Sequence, residues 1–301
     1  MTARGYVSPA AFKQALEQRL RSTSRDGKEF TRRRQRLVFE RFLARVGHVF
    51  GDAVTLKGGL VLELRIENAR ATKDVDLRLT DTPAGLLARL QLAGQLKLGD
   101  FMRFDIHPDA NHPELQNEGM KHEGFRFRAE CRLADKRYAD VFGVDVVLDD
   151  PRLDEPEFIV APDVLGFAGV APPRVRLYPV AAHIAEKLHA YTLPRSRPNT
   201  RVKDLPDLAL LAGVGVMEAS RIRAALAETF GIRDTHARPY STPAPPDAWL
   251  QPYADLAHEN KLPWKTLEEV TAVVRAFLDP VLAGDHDLLW EPDSWSWRHR
   301  P

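Results

Sequence analysis

The segment from residue 53 to residue 80 restricts the fold of this chain more than any other part of the sequence. A short apolar stretch at 53–56 leads into Lys57-Gly58-Gly59, and a second apolar stretch with helical spacing follows. From 73 to 80 the residues alternate between apolar and charged, which is the period of a strand with one buried face. The segment therefore predicts a strand, a tight glycine turn, a buried helix and a second strand.

Two features of this segment suit a site that binds metal ions and phosphates. Asp74 and Asp76 lie two residues apart on the second strand, so both carboxylates are expected on one face, where they could hold Mg²⁺. Gly58 and Gly59 have no side chains, so backbone N–H groups can approach phosphate oxygens at the start of the helix. Each pattern alone has an ordinary alternative, because a Gly-Gly pair often marks a turn and D-x-D is often a solvated strand face.

The hydrophobic patterns elsewhere indicate a mixed α/β layer followed by a mostly helical C-terminal part. The 301 residues of the chain are enough for one large or two modest domains. The proline-bounded stretch 171–180 is predicted to divide the chain into 1–170 and 171–301. Helices are predicted after Ser8-Pro9 and at 32–49, 84–98, 180–192, 205–211, 216–230 and 267–282, and further strands at 101–106, 125–133 and 138–148. The proline-rich segment 236–252 is predicted to be an ordered surface loop.

A third carboxylate for the predicted metal site should come from a neighbouring strand. Asp145, within the hydrophobic stretch VFGVDVVLDD, is the candidate. Asp140, Asp149 and Asp150 remain alternatives, and so does an ordinary strand carboxylate without a metal role.

The charge balance does not identify a partner. The formal net charge is +1, so a nucleic acid would need a local basic patch. Nine basic residues are candidates for such a patch, although those on the 32–49 helix could equally form a solvated helix face. They are Arg32, Arg33, Arg34, Arg36, Arg41, Arg195, Arg197, Arg201 and Lys203.

The cysteine and histidine content argues against two other kinds of site. Cys131 is the one cysteine, which excludes an intrachain disulfide and a thiolate zinc site, and it is expected to be a small buried hydrophobe. His183 and His189 lack the i, i+4 spacing of a helical metal site and are expected to be structural or solvent-facing. The sequence shows no signal peptide and no membrane-spanning run, so a cytoplasmic location is expected.

Four motifs together resemble a known enzyme family. They are KGG at 57–59, R-x-T-x-D-x-D at 70–76, E-K-L-H-A at 186–190 and R-x-K-D-x-x-D-L at 201–208. The order of the glycine turn and the D-x-D strand is similar to polymerase β type nucleotidyltransferases. The full set resembles the AbiEii-type toxins, the family that includes the mycobacterial MenT toxins, over about residues 35–215.

The resemblance implies a fold, an activity and partners. It implies a polymerase β type nucleotidyltransferase core whose active site is completed by the helical C-terminal lobe. It also implies the toxin of a type IV toxin-antitoxin pair, which uses Mg²⁺, or Mn²⁺, to transfer nucleotides from an NTP, with CTP as a candidate, to the 3′ end of tRNA. A cognate antitoxin encoded nearby is implied as well, although it need not form a stable complex.

The resemblance also assigns roles to individual residues. It gives Asp74 and Asp76 as the catalytic metal pair, Lys187 as the lysine that contacts the triphosphate, and Asp204 as a later essential acid with Asp207 as a secondary candidate. The nucleotide-binding residues that it implies are Lys57, Gly58, Gly59, Arg70, Thr72 and Lys187. Many relatives have serine after the first glycine, so Gly59 is a departure that could change triphosphate affinity or nucleotide choice.

Other interpretations of the same residues remain open. Lys187 could be a solvated lysine paired with Glu186, and Asp204 could be a carboxylate that interacts with a helix N-terminus. The same metal and triphosphate groups would also serve a nucleotidyltransferase that modifies a protein or a small molecule. A catalytically inactive relative that binds RNA or a partner protein is a further alternative.

Overall fold

The computed structural model describes residues 5–66, 69–80, 84–115, 124–148, 155–196, 198–284 and 287–300. Within these ranges the α-helices are α1 (Pro9–Ser22), α2 (Gly27–Phe50), α3 (Gly59–Arg65), α4 (Leu86–Gln95), α5 (Val180–Thr192), α6 (Asp204–Ala212), α7 (Ala219–Arg233), α8 (Leu250–Glu259) and α9 (Leu267–Ala283). The strands are β1 (Val54–Lys57), β2 (Asp74–Leu79), β3 (Arg103–Pro108), β4 (Gly124–Leu133), β5 (Lys136–Arg137), β6 (Phe142–Leu148), β7 (Glu157–Val160), β8 (Arg174–Leu177), β9 (Met217–Glu218), β10 (Leu288–Glu291) and β11 (Ser296–His299).

The larger sheet is mixed and places the two strands of the predicted site in its middle. Its strand order is β3-β4-β6-β2-β1-β8-β7, and β5 pairs with β4 off this path. The β2–β6 and β1–β8 pairs are parallel, whereas β1–β2, β3–β4, β4–β6 and β7–β8 are antiparallel. The predicted α/β class with a mixed sheet is therefore confirmed.

An aromatic cluster fixes α2 on this sheet. Phe39 and Phe42 of α2 contact Phe142 of β6, with ring centroids 5.0 Å and 5.4 Å apart, and Phe42 also lies 5.5 Å from Phe104 of β3. All four rings are fully or almost fully buried, so their burial supplies a large part of the local driving force. This packing makes the sheet a rigid platform for the side chains on its other face.

A second hydrophobic cluster joins α5 to α9 with a small sheet of order β11-β10-β9. The helical character predicted for this part is confirmed, whereas its short strands were not predicted. Leu62 of α3 belongs to this cluster, while Leu60 and Leu64 of the same helix belong to the first, so α3 lies between the two. The division into 1–170 and 171–301 stays a prediction. Of the helices in the described ranges, none is both long and apolar enough to span a bilayer.

The structure corrects several element boundaries. α2 begins five residues before its predicted start at 32, because the Asp26 side chain caps the helix by accepting a hydrogen bond from the Glu29 N–H at 2.8 Å. The loop prediction for 236–252 is wrong from residue 247 onward, where a 3₁₀ turn leads into α8. Buried Trp249 and Tyr253 anchor that region, and its prolines conceal the helical spacing.

The prolines also conceal two strands at one edge of the sheet. β8 lies within the proline-bounded stretch 171–180 and pairs with β1 through Leu56 and Leu177. β7 pairs with β8 along four residues. Each strand is only four residues long, too short for its alternation to be distinguished from a loop.

Candidate active site

Four charged residues form one row across the middle of the larger sheet. Lys57 of β1 lies opposite Asp76 of β2, and Asp76 lies opposite Asp145 of β6. Asp145 in turn lies opposite Arg126 of β4. Residues directly opposite on neighbouring strands share one face of a sheet, so this charged row reads Lys57, Asp76, Asp145, Arg126. Two carboxylates therefore stand side by side, with a cation at each end.

Asp76 has no counter-ion in this row. Lys57 pairs with Glu186, 2.9 Å from its nitrogen, and among the described residues none forms an ion pair with Asp76. Burial raises the pKa of Asp76 to about 6, and the negative charges of Asp145 and Asp74 add to the rise against the positive charge of Lys57. The Asp76 carboxylate would therefore be stabilised by a bound cation.

Asp74 lies beside the charged row on the same face of β2. It is opposite Gly143 of β6, whose N–H donates a hydrogen bond to Asp74 Oδ1 at 3.2 Å. A Cβ atom at residue 143 would lie 2.5 Å from that oxygen, so glycine makes room for the carboxylate. Asp74 is exposed to solvent. Asp74 and Asp76 thus form an open pair of carboxylates on one rigid strand.

The glycine turn between β1 and α3 lies directly over Asp76. Gly58 has φ +71° and ψ −158°, a conformation that residues with a side chain rarely adopt. A Cβ atom at Gly58 would lie 1.8 Å from Asp76 Oδ2. A Cβ atom at Gly59 would lie 3.1 Å from Thr72 Oγ1 and 3.3 Å from Arg70 Nη2. The structure therefore brings the turn, the carboxylates and the segment with Arg70 and Thr72 together.

We expect Gly58→Ala to lower the free energy of unfolding by about 3 kcal/mol, because it combines backbone strain with overlap onto Asp76. Gly47→Ala is the matched control. Gly47 lies in α2, and no atom lies within 4 Å of the place that an alanine methyl group would take, so alanine should stabilise the protein by about 0.5–1 kcal/mol. Urea unfolding followed by circular dichroism measures both. Equal effects of the two substitutions would contradict the conclusion that position 58 requires glycine because the backbone approaches Asp76 closely.

Glu63 of α3 holds the segment that carries Arg70 and Thr72. Its buried carboxylate accepts hydrogen bonds from Arg32 Nε at 3.0 Å and from the Thr72 N–H at 3.1 Å. Arg32 also donates to the Ala69 carbonyl. Glu63 was not predicted as part of the site, although a glutamate within the apolar run LVLELR was a signal that the side chain has a buried partner.

Lys187 belongs to a buried ionic network between α5 and α6. Its Nζ lies 2.7 Å from Asp207 Oδ2 and 3.3 Å from Asp204 Oδ1. Arg70 makes two hydrogen bonds to Asp207, at 2.9 Å and 2.8 Å, and Arg201 pairs with Asp204 at 2.7 Å. The alternative of a solvated Lys187 paired with its neighbour on α5 is wrong, because the side chain is buried among these aspartates.

Asp207 is the centre of this network. Asp207 is fully buried. Asp204 is also buried, but its partner Arg201 has a side chain that is 46% exposed. Burial alone would raise the pKa of Asp207, but the charges of Lys187 and Arg70 outweigh it and hold the pKa below its ordinary value. Both aspartates lie in the first turn of α6, where the helix dipole also favours negative charge.

Glu186, next to Lys187 on α5, belongs to a separate network. Its Oε1 accepts hydrogen bonds from Lys57 Nζ at 2.9 Å, the Tyr178 hydroxyl at 3.1 Å and Arg233 Nη2 at 3.3 Å. Burial would raise the pKa of Glu186, but Lys57 and then Arg233 bring it down to about 2. These contacts join residues far apart in sequence, so sequence patterns gave no signal for Tyr178 or Arg233.

The other predicted carboxylates have different positions. Both oxygens of Asp145 are engaged by Arg126 at 2.7 Å, so a role for Asp145 as a metal ligand stays a prediction. Asp140 is exposed, and its backbone N–H donates to Gln35. Asp149 and Asp150 lie outside the described residues. Across the ranges that the structure describes, no three His, Cys, Asp or Glu side chains are arranged to hold a metal ion.

Most of the arginines on α2 form contacts within the protein. Arg41 is buried and pairs with Asp100 at 2.6 Å, so its interpretation as part of a basic surface is wrong. Arg33 pairs with Glu29, and Arg36 pairs with Glu40. Near α6, Arg201 and Lys203 are exposed. Arg195 is half-buried, and Arg197 lies outside the described residues.

The two histidines and the cysteine are buried. His183 and His189 are therefore structural, and the solvent-facing alternative is wrong for both. Burial lowers the pKa of His183 to about 3 and that of His189 to about 4. Cys131 is fully buried in β4, as predicted, and burial raises the pKa of its thiol.

Comparisons with known proteins give a family and a fold. The profile of the nucleotidyl transferase AbiEii toxin family, a type IV toxin-antitoxin system, matches residues 41–299. MenT4, a nucleotidyltransferase toxin from Mycobacterium tuberculosis H37Rv, superposes with a TM-score of 0.55 at 14% identity over 92% of this chain and 89% of that chain. JHP933 from Helicobacter pylori gives a TM-score of 0.41 at 17% identity, over 81% and 94% of the two chains. A search of curated protein sequences found no match. The MenT4 likeness shows a shared fold.

Proposed function

The chain belongs to the AbiEii nucleotidyltransferase toxin family of type IV toxin-antitoxin systems, and we propose that it transfers nucleotides from an NTP to the 3′ end of tRNA. The observation that supports nucleotide transfer is the pair of carboxylates Asp74 and Asp76 beneath the glycine turn, with Asp76 lacking a counter-ion among the described residues. Modification of the tRNA 3′ end would block aminoacylation and stop growth, which suits a toxin acting in the cytoplasm.

The residues present fit a divalent metal ion held by Asp74 and Asp76. Mg²⁺ and Mn²⁺ prefer oxygen ligands, and Mg²⁺ commonly takes one or two carboxylates together with substrate phosphates. Asp76 has a raised pKa and no paired cation among the described side chains, and Asp74 is exposed beside it. When bound, the metal ion would neutralise triphosphate charge and polarise the attacking hydroxyl.

Cationic and hydroxyl groups around the turn suit the triphosphate. Lys187 and Arg70 share Asp207, and both carry positive charge close to the metal pair. Thr72 Oγ1 lies 3.1 Å from the position of a Cβ atom at residue 59. The Thr72 hydroxyl therefore lies beside the turn at Gly59, where it would donate a hydrogen bond to a triphosphate oxygen.

The choice of tRNA as the acceptor and the presence of an antitoxin follow from family membership. Exposed Arg201 and Lys203 near the α6 network would contact tRNA phosphates, and the C-terminal lobe completes the site through Lys187 and Asp204. CTP is the nucleotide that we propose first. A cognate antitoxin would restrain the enzyme with or without a stable complex.

Transfer of label to tRNA tests the proposal. The purified protein is incubated with total bacterial tRNA, Mg²⁺ and each labelled NTP separately. Wild type should label tRNA with at least one NTP, whereas Asp76→Ala and Lys187→Ala should not. Asp52→Ala, whose parent side chain is 97% exposed, should label tRNA like wild type. Periodate oxidation of the tRNA 3′ end should abolish labelling.

The same experiment separates the alternatives. Binding of Mg²⁺-NTP without labelling of any tRNA would reject the tRNA acceptor and favour a protein or small-molecule acceptor. Failure to bind any Mg²⁺-NTP would favour a catalytically inactive relative that binds RNA or a partner protein.

A further inference from the structure

The charged row raises a question about how many cations the site holds. Asp76 and Asp145 stand side by side on β2 and β6, and Asp74 lies on the same face. Three neighbouring carboxylates in one site would repel one another unless cations neutralise them. In two-metal sites, divalent ions stabilise both the attacking and the leaving oxygen of a phosphoryl transfer.

One of these carboxylates, Asp145, is paired with an arginine side chain. Arg126 Nε lies 2.7 Å from Asp145 Oδ1, and Arg126 Nη2 lies 2.7 Å from Asp145 Oδ2. Both carboxylate oxygens are therefore engaged by one planar guanidinium group, which is a strong geometry for an arginine and a carboxylate. Because the residues are directly opposite on paired strands, the backbone itself holds the pair in register.

The other arginines of β4 do not pair with a carboxylate of β6. Arg128 lies opposite Gly143, which has no side chain, and pairs with Asp109 at 3.2 Å. Arg132 pairs with Asp105 of β3 at 2.7 Å. Of the described β4 arginines, Arg126 alone lies opposite a carboxylate of β6, which places its charge at the end of the charged row.

We propose that Arg126 takes the place of a second metal ion, so that the protein holds one divalent cation, on Asp74 and Asp76. This inference rests on the proposed function, since it concerns the same metal pair. With Arg126 in place, Asp145 contributes negative charge next to Asp76 but not a free oxygen ligand. Removal of Arg126 should free Asp145 and create a second cation site between Asp145 and Asp76.

Binding of Mn²⁺ alone to metal-free protein tests the inference without using activity. Titration followed by electron paramagnetic resonance counts the sites. Wild type should bind one Mn²⁺ per chain, and Arg126→Gln should bind two. The double variant Arg126→Gln/Asp145→Asn should return to one. Arg128→Gln is the matched control on the same strand and should keep the wild-type count.

Each number of bound Mn²⁺ ions either supports or overturns the inference. Two Mn²⁺ ions on wild type would overturn the inference and leave the proposed function standing, because the metal pair would still be loaded. An unchanged count in folded Arg126→Gln would also overturn it. No Mn²⁺ on wild type would overturn the inference, and the labelling of tRNA would then decide the proposed function separately. If Arg126→Gln does not fold, the wild-type count decides.

Discussion

Replacing Asp76 with asparagine is expected to abolish nucleotide transfer and at the same time to stabilise the metal-free protein. Loss of a metal ligand removes several kcal/mol of transition-state stabilisation, which corresponds to a fall in rate on the order of 10³-fold or more. Stability should change in the opposite direction, because Asp76 is a carboxylate next to Asp145 without its own counter-ion among the described residues. Label transfer and urea unfolding measure the two effects on the same preparations.

The stability gain should depend on pH in a defined sense. The pKa of Asp76 rises from 3.8 to about 6 on folding. Between these two pH values the folded state therefore retains a proton that the unfolded state has lost. Wild type therefore loses stability relative to Asp76→Asn as pH rises from about 4 to about 7, by about 3 kcal/mol in total. Below about pH 4 the two proteins should differ little, because Asp76 is then protonated in both states.

The metal ion provides a second readout. Mg²⁺ should raise the thermal midpoint of wild type, since it binds only the folded state, and should leave Asp76→Asn unchanged. The exposed-site control Asp52→Asn should alter activity and stability little. A variant Asp76→Asn that is less stable than metal-free wild type at pH 7.5 would contradict the description of Asp76 as an unpaired carboxylate.

Asp207→Ala is expected to give a large loss of stability, because it removes the centre of a buried ionic network. The fully buried Asp207 accepts two hydrogen bonds from Arg70 and one from Lys187. Its removal leaves the Arg70 guanidinium without its partner, which should cost about 3–5 kcal/mol. Urea unfolding at pH 7.5 measures this loss.

Asp204→Ala provides the matched comparison on the same helix. Its partner Arg201 is 46% exposed, and Lys187 would keep Asp207, so we expect a loss of only about 1–2 kcal/mol. An effect of Asp204→Ala equal to or larger than that of Asp207→Ala would contradict the central position of Asp207. Activity should fall in both variants, because each one loosens Lys187.

The local part of the site could be predicted from the sequence for physical reasons. The two-residue spacing of Asp74 and Asp76 fixes a shared face as soon as the segment is a strand. Gly58 could be recognised because a Gly-Gly pair between a strand and a helix indicates an unusual backbone conformation. The mixed α/β class followed from the same periodicities, and family membership followed from four short motifs.

The pairing of distant segments could not be predicted in this way. The charged row depends on the register of β2 with β6 and of β6 with β4, and a shift by one residue would place Arg126 on the other face. The network around Glu186 joins β1, α5 and the end of α7. Asp207 was predicted only as a secondary candidate after Asp204, because the sequence does not show which of two nearby carboxylates is fully buried.

Intact mass spectrometry of the purified cellular tRNAs, taken one species at a time, shows whether the protein extends tRNA. The tRNA is incubated with the protein, Mg²⁺ and each of the four NTPs in separate reactions, with Asp76→Asn in parallel. Wild type should increase the mass of at least one tRNA by whole nucleotides with at least one NTP, and Asp76→Asn should leave every tRNA mass unchanged. An unchanged mass of every cellular tRNA with every NTP would contradict transfer to tRNA, and an equal increase with Asp76→Asn would contradict the role of Asp76.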